Sequence, residues 1–364
     1  MQVGKILLPL LILGNAFIVR SANDGQDSKF IPASDSRIAY MGRISTAKPD
    51  TVRFTYPGVN INAGFTGTSL KMGVKPGSGS YMIEIDDELP YRLNIGQNDS
   101  IVTLAESLPE GNHKVRATYV LEGYALKPEF HGFYVDNGAD LSAKPVLPKR
   151  KIEFIGNSIT CGYGVEADKP TDRFTYDTEN FYYTYAARTA RNLDAQHLVV
   201  SRSGIGVYRN YGTPREGCKG NMPDMYEQTL FGDSTEMWDH SLYRPDVVCV
   251  NLGTNDVSED KYEVALLEDG YRKFIKHLRS TYPDAKIILL TGSMLNGRPL
   301  QVVKDALNTV VADAVSAGDR NLYRFDFTPQ TGSLGMGADY HPSIRQQQKM
   351  ASELTAYLRQ LMNW

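Results

Sequence analysis

Two hydrophobic rhythms divide the chain. From residue 30 to 145, apolar side chains recur at every second position in short pieces: Val52, Phe54 and Tyr56; Val59, Ile61, Ala63 and Phe65; Tyr81, Ile83 and Ile85; Val115, Ala117 and Tyr119. A period of two puts one set of side chains on one face, the mark of a half-buried strand. Turn formers separate the pieces, with Tyr-Pro-Gly at 56–58, Pro-Gly-Ser-Gly at 76–79 and Glu-Gly-Asn at 110–112. An all-β sandwich or jelly roll is therefore expected over 30–145, ending in the proline-bearing stretch 143–148.

Beyond residue 150 the rhythm changes. Apolar, β-branched runs at 151–156, 197–203, 246–252, 286–292 and 322–327 alternate with segments of helical period. Leu267, Tyr271, Phe274, Ile275 and Leu278 form one such stripe, and Met350, Leu354, Tyr357, Leu358 and Leu361 another. Strand alternating with helix predicts an α/β domain over 150–364: a doubly wound, five-stranded parallel sheet with helices on both faces. Such sheets bind ligands outside the carboxyl ends of their strands, so the chemistry is sought there.

A third pattern stands at the start. Lys5 precedes an apolar run at 6–12, which resumes at 16–19 before Arg20 and a polar stretch. This reads as a signal peptide over 1–21, since the run is broken by Gly14 and Asn15 and is shorter than the ~20 residues a spanning helix needs. The mature protein is expected to be secreted or periplasmic, with no membrane association after cleavage.

Charge narrows the partners. Lys and Arg number 39 against 42 Asp and Glu, giving a net charge of -3 with no basic stripe, so nucleic acid is not an implied partner and a neutral substrate is. The three cysteines, Cys161, Cys218 and Cys249, leave at least one thiol unpaired; a Cys161–Cys218 bridge is one option. Without a C-x-x-C pair or clustered histidines, no metal and no cofactor are expected. The oligomeric state is left open.

The strand ends carry the candidate chemistry. After the first comes Gly156-Asn157-Ser158, where a serine either caps the next helix or serves as a nucleophile. After the second comes Ser-Arg-Ser-Gly-Ile-Gly at 201–206, whose Gly204 can bring its N–H close to a ligand because it has no side chain. After the third comes Asn-Leu-Gly-Thr-Asn-Asp at 251–256, with the amide of Asn255, and after the fifth Asp339-Tyr340-His341-Pro342, with Pro342 suited to the first turn of the last helix. Ester hydrolysis needs a nucleophile, a base, and donors aimed at the developing oxyanion. Ser158, His341, and the trio of Ser158 N–H, Gly204 N–H and Asn255 side chain would fill those places. Trp238, Tyr208, Tyr211 and Tyr340 lie on connections near the same edge and are candidates to stack on a sugar ring, with loop packing the alternative for an aromatic in a long loop.

These four blocks resemble those of the SGNH (GDSL-like) hydrolases. With Ile-Thr-Cys-Gly-Tyr-Gly and Gly-Val-Tyr-Arg-Asn-Tyr around the first two blocks, and a β-sandwich leading in, the chain is most similar to carbohydrate esterase family 2. The resemblance implies a serine esterase that removes O-acetyl groups from plant polysaccharides of the xylan or glucomannan type through an acetyl-enzyme. A lipid esterase or thioesterase with the same machinery, or a carbohydrate-binding protein of weak activity, is the alternative. Two positions depart from the pattern: Asn157 replaces the usual Asp before the nucleophile, and Ala338 occupies the place of the usual Asp three residues before the histidine. Asp339, one position later, is left as a candidate third member, with a backbone carbonyl as the other group able to orient His341.

Overall fold

The computed structural model describes residues 28–364; the expected signal segment at 1–21 lies outside them. Among the described residues, the first part holds ten strands: β1 (Ser28–Pro32), β2 (Ala39–Met41), β3 (Val52–Arg53), β4 (Asn60–Gly67), β5 (Leu70–Val74), β6 (Gly79–Ile85), β7 (Tyr91–Ile95), β8 (Ile101–Ala105), β9 (Gly111–Tyr119) and β10 (Glu129–Asp136). They pair antiparallel in two sheets, one in the order β2-β4-β9-β6-β7 and the other β1-β10-β5-β8, with β3 on β10. The alternating residues do what their period dictates: Ile61 and Ile83 flank Ala117 in register, and all three are fully buried between the sheets.

The second part is the expected parallel sheet, of β11 (Arg150–Gly156), β12 (Ala195–Ser201), β13 (Val247–Asn251), β14 (Lys286–Thr291) and β15 (Leu322–Asp326). Its order, β12-β11-β13-β14-β15, reverses at β11, and sheets of this kind bind ligands at the carboxyl ends beside such a switch point. Its helices are the one-turn α1 (Ser158–Cys161), α2 (Tyr185–Asn192), the short α3 (Met222–Met225), α4 (Val264–Thr281), α5 (Gly297–Ser316) and α6 (Ile344–Met362). Successive strand residues divide between two cores. Ile152, Phe154, Cys249, Ile288 and Leu290 pack with α2 and α6, whereas Ile155, Val248, Val250, Ile287 and Leu289 pack with α4 and α5. Both faces are therefore covered, which is why these strands read as unbroken apolar runs. Pro342 proves to lie outside the last helix: Ser343 caps α6 instead, its Oγ accepting the Gln346 N–H at 3.2 Å. Among the described residues no helix is long and apolar enough to cross a membrane.

The sandwich does not hang from a linker. One apolar core runs from Phe54, Val59 and Ile61 of the sandwich into Phe154, Phe181, Tyr185 and Leu354 of the parallel layer. A buried cation fastens the same junction. Arg43, fully buried, donates from Nη2 to Glu153 Oε1 at 3.3 Å and from Nη1 to the carbonyls of Tyr226 and Gln228, and its guanidinium lies over the rings of Tyr226 (4.8 Å) and Trp238 (5.5 Å). His197 of β12 adds a neutral contact, Nε2–H donating to Gly58 O at 2.8 Å, with burial pushing its pKa down to about 4. Truncating one partner of a buried pair leaves the other without compensation, so Arg43→Ala is expected to lower unfolding free energy by about 3–5 kcal/mol. Urea denaturation checks this, and a loss below ~1 kcal/mol would show that the pair does not hold the junction.

Candidate active site

The strand register gathers the site. Gly156 of β11 pairs with Ser201 of β12 and with Asn251 of β13, so the loops that follow these three strands leave the sheet side by side. At the end of β11, Asn157 takes an extended conformation and caps α1, its Oδ1 accepting the Ile159 N–H at 3.1 Å. The first N–H groups of a helix have no acceptor within it. Asn157 satisfies that of Ile159, and the Ser158 N–H has no protein acceptor among the described residues. Ser158 does start a helix, but the cap is Asn157, and the serine Oγ is spent on a histidine instead.

That histidine is His341, whose Nε2 lies 2.9 Å from Ser158 Oγ. Its Nδ1 is 3.0 Å from the Ala338 carbonyl, which can only accept, so Nδ1 carries the proton and Nε2 presents a lone pair to the serine hydroxyl. Burial pushes the imidazole pKa below its ordinary 6.5, and the carbonyls of Ala338 and Asp339 oppose that shift without cancelling it. The ring is thus a neutral base in contact with a hydroxyl.

Asp339 is not the third member of this arrangement. Asp339 and Tyr340 both sit in the left-handed region, at φ 47° and 60°, and the turn sends the Asp339 carboxylate outward. There Oδ2 accepts from Tyr163 Oη at 2.8 Å and Oδ1 from Arg173 Nη1 at 3.0 Å. Burial would raise its pKa, but those two donors hold it below the ordinary carboxylate value. The effect on His341 is indirect: the Tyr163 ring stacks on the imidazole with centroids 4.2 Å apart, and Phe174 stacks on Tyr163 at 4.5 Å. The residue at the usual carboxylate place, Ala338, is fully buried against Gly164, where a side-chain carbon added to the glycine would come within 2.3 Å of Ala338 Cβ. A carboxylate at 338 would press on that turn, and the backbone carbonyl serves in its stead.

Two further donors stand on the adjoining loops. Gly204 has φ +77°, a conformation that favours glycine, and a side-chain carbon there would meet nothing closer than Tyr211 Cβ at 3.9 Å. Its N–H has no protein acceptor among the described residues. The Asn255 amide gives one hydrogen to Ile205 O at 2.8 Å, which leaves its second available. Asp256, which the sequence reading passed over, ties both loops together. Fully buried, it accepts N–H bonds from Gly253 (3.0 Å), Val207 (2.9 Å), Tyr208 (2.9 Å) and Arg209 (3.1 Å). Burial pushes its carboxyl pKa up, and the backbone donors work against that. Arg209, equally buried, donates from Nη1 to Asn255 O at 2.9 Å. The signal for both was present, since each lies inside a block already singled out.

The aromatic candidates separate. Tyr211 is 63% exposed and donates its N–H to Gly204 O at 2.8 Å, and Tyr340 is 56% exposed beside His341, so both offer a free ring at the rim. Trp238 and Tyr208 do not, contrary to expectation. Trp238 is buried beneath Arg43 in the junction, and Tyr208 is buried in its own loop with its hydroxyl accepting the Glu263 N–H at 2.9 Å. The Cys161–Cys218 bridge is also absent: all three thiols are free, with Cys161 donating to Ser201 Oγ at 3.2 Å and Cys218 accepting the Asn210 N–H at 3.3 Å.

Comparison with known proteins agrees with this geometry. Residues 40–145 match the family model described as carbohydrate esterase 2 N-terminal, and residues 154–349 match that of the GDSL-like lipase/acylhydrolase family. The chain is 30% identical over 368 residues to an acetylxylan esterase / glucomannan deacetylase of Cellvibrio japonicus, covering 99% of this chain and 100% of that protein. It is 37% identical over 341 residues to the cellulase/esterase CelE of Acetivibrio thermocellus, covering 93% of this chain but only 41% of that longer protein. The solved structure of a family two carbohydrate esterase from Clostridium thermocellum in complex with cellohexaose superposes with a TM-score of 0.83 at 37% identity, over 90% of this chain and 99% of that one.

Two outcomes are expected. His341→Ala should reduce turnover of an aryl acetate by several orders of magnitude, whereas Asp339→Asn should cost ~10-fold or less, well short of the ~10⁴-fold loss when a true triad carboxylate becomes an amide; equal losses in folded variants would restore Asp339 as the third member. Since His341 acts unprotonated and its pKa is lowered, activity should persist as pH falls and be lost only below the ordinary 6.5, an acid limb that a kcat/KM profile of the free enzyme reports directly. A limb centred above 6.5 would contradict the buried, neutral base.

Proposed function

The chain belongs to family 2 of the carbohydrate esterases, on a GDSL-like acylhydrolase domain, and from that premise we propose that it is an exported serine esterase removing O-acetyl groups from acetylated polysaccharides or oligosaccharides of the xylan or glucomannan type. The observation that carries the reading is the 2.9 Å contact of Ser158 Oγ with His341 Nε2, in a ring whose other nitrogen is held by Ala338 O. As Oγ attacks the acetyl carbon, its proton passes to Nε2. The oxyanion forms against the N–H groups of Ser158 and Gly204 and the free hydrogen of the Asn255 amide, donors already in place before the reaction begins. Collapse returns the proton to the departing sugar hydroxyl and leaves an acetyl-enzyme. Water, deprotonated by the same nitrogen, then releases acetate and restores Ser158. The exposed rings of Tyr211 and Tyr340 suit a neutral pyranose, and the apolar run at 6–19 supports export to a secreted or periplasmic location.

Acetate release from acetylated xylan and glucomannan oligosaccharides, followed by mass spectrometry, tests the reading. Ser158→Ala should lower it by ~10³-fold or more. An unchanged rate in that variant, or a preference for octanoyl over acetyl esters, would overturn the assignment in favour of no serine chemistry or a lipid substrate, respectively.

A further inference from the structure

The donor loop is gripped from a second side, by the sandwich. Glu122 lies in the loop between β9 and β10, only 4% exposed, and that loop is itself fixed by Val120 N–H to Ser80 O (3.1 Å), Gly123 N–H to Thr55 O (2.8 Å) and Phe181 N–H to Val120 O (2.9 Å). Both of its carboxylate oxygens are spent on the residue before Gly204: Oε2 accepts the Ser203 N–H at 2.8 Å, and Oε1 accepts the Ser203 hydroxyl. We propose that Glu122 is a positioning residue that aims the Gly204 N–H at the oxyanion through Ser203, so that the sandwich supplies part of the catalytic unit. This rests on the assignment of Ser158 as nucleophile.

The surroundings argue against a merely structural contact. Among the described residues no lysine, arginine or histidine pairs with Glu122. Its nearest titratable neighbours are instead the fully buried Glu179 and Cys161, with one ligand atom from each of the three within 4.8 Å of the others. Burial and the neighbouring Glu122 hold the Glu179 carboxyl well above its ordinary range, and the Cys161 thiol is pushed up in the same way and stays protonated. Glu179 Oε2 accepts the Glu122 N–H at 3.1 Å, which locks the backbone of the residue whose side chain does the gripping. The two bonds from Ser203 to Glu122 hold the turn upstream of Gly204 as Asp256 holds it downstream.

Glu122→Gln keeps the size but puts an amide donor where one carboxylate oxygen accepted, so the Ser203 N–H and hydroxyl can no longer both donate to it. With p-nitrophenyl acetate, the expected result is a kcat about 10–100-fold lower and a KM changed by less than about twofold, because a misaimed donor is felt in the transition state. An alkylboronic acid, which forms a tetrahedral adduct with the serine, should lose affinity by the same factor as kcat/KM, a readout that a junction contact alone would not move. Ser203→Ala should lower kcat by about 3–10-fold and add little in the Glu122→Gln background, as coupled neighbours do. Wild-type kcat in folded Glu122→Gln, or a loss confined to KM with boronate affinity intact, would overturn the proposal; should Glu122→Gln fail to fold, wild-type kcat in Ser203→Ala overturns it alone. If Ser158→Ala is inactive while Glu122→Gln is not, the esterase reading stands and only the grip is lost; if Ser158→Ala is unimpaired, the reading beneath it falls.

Discussion

A carboxylate removed from water must find hydrogen-bond donors or give up its charge, and this requirement, met at Asp256, fixes the active edge. Its partners are backbone N–H groups from two loops that follow different strands, so the folded chain can satisfy Asp256 only when both loops are in place. Hydrogen bonds to a charged group contribute roughly 1.5–3 kcal/mol each, enough together to hold two irregular segments that have no ladder of their own. Gly204 precedes one set of these donors and Asn255 immediately precedes the acceptor. The oxyanion donors thus inherit their positions from a residue that touches no substrate, and they need no rearrangement when charge develops.

The base is held by a different economy of parts. A carboxylate on Nδ1 would stabilise the imidazolium that forms when the serine proton is taken; a carbonyl dipole does so less strongly. Burial keeps the pKa of His341 low, and its orientation depends on shape as well as on hydrogen bonding, with Tyr163 stacked on the ring and anchored at its hydroxyl by Asp339. The carboxylate one position along, Asp339, anchors the residue that packs against the imidazole.

Much of this was legible along the chain. The change of period near residue 150 separates the antiparallel sandwich from the parallel sheet, because one kind of strand buries one face and the other buries both. Ser158 and His341 were readable because strand ends and loop residues of the right chemistry recur in order. Trp238 misled: an aromatic on a long connection has the same appearance whether it faces solvent or lies beneath a buried arginine, and nothing near it in sequence announces Arg43, which comes from the other half of the chain. Asp339 could not be placed either. Its carboxylate is turned by two consecutive left-handed residues, neither of them glycine, and no turn signal in the sequence announces that conformation. Glu122 carried no signal at all, since its partner Ser203 lies 81 positions away across the junction.

The shared core between sandwich and parallel layer bears on how such a unit travels between proteins. A chain cut within the proline-bearing stretch would bare Phe54 and Ile61 on one fragment and Phe154 and Leu354 on the other, and would strand Arg43 and Glu153 on opposite pieces. Neither half is a module in the sense of a part that can be shuffled alone. The heritable piece is the pair, and a longer relative of which this chain matches 41% accommodates it as one block. Recombination between such enzymes is therefore constrained to break points outside the pair, and the sandwich and the catalytic layer are expected to diversify together rather than exchange partners.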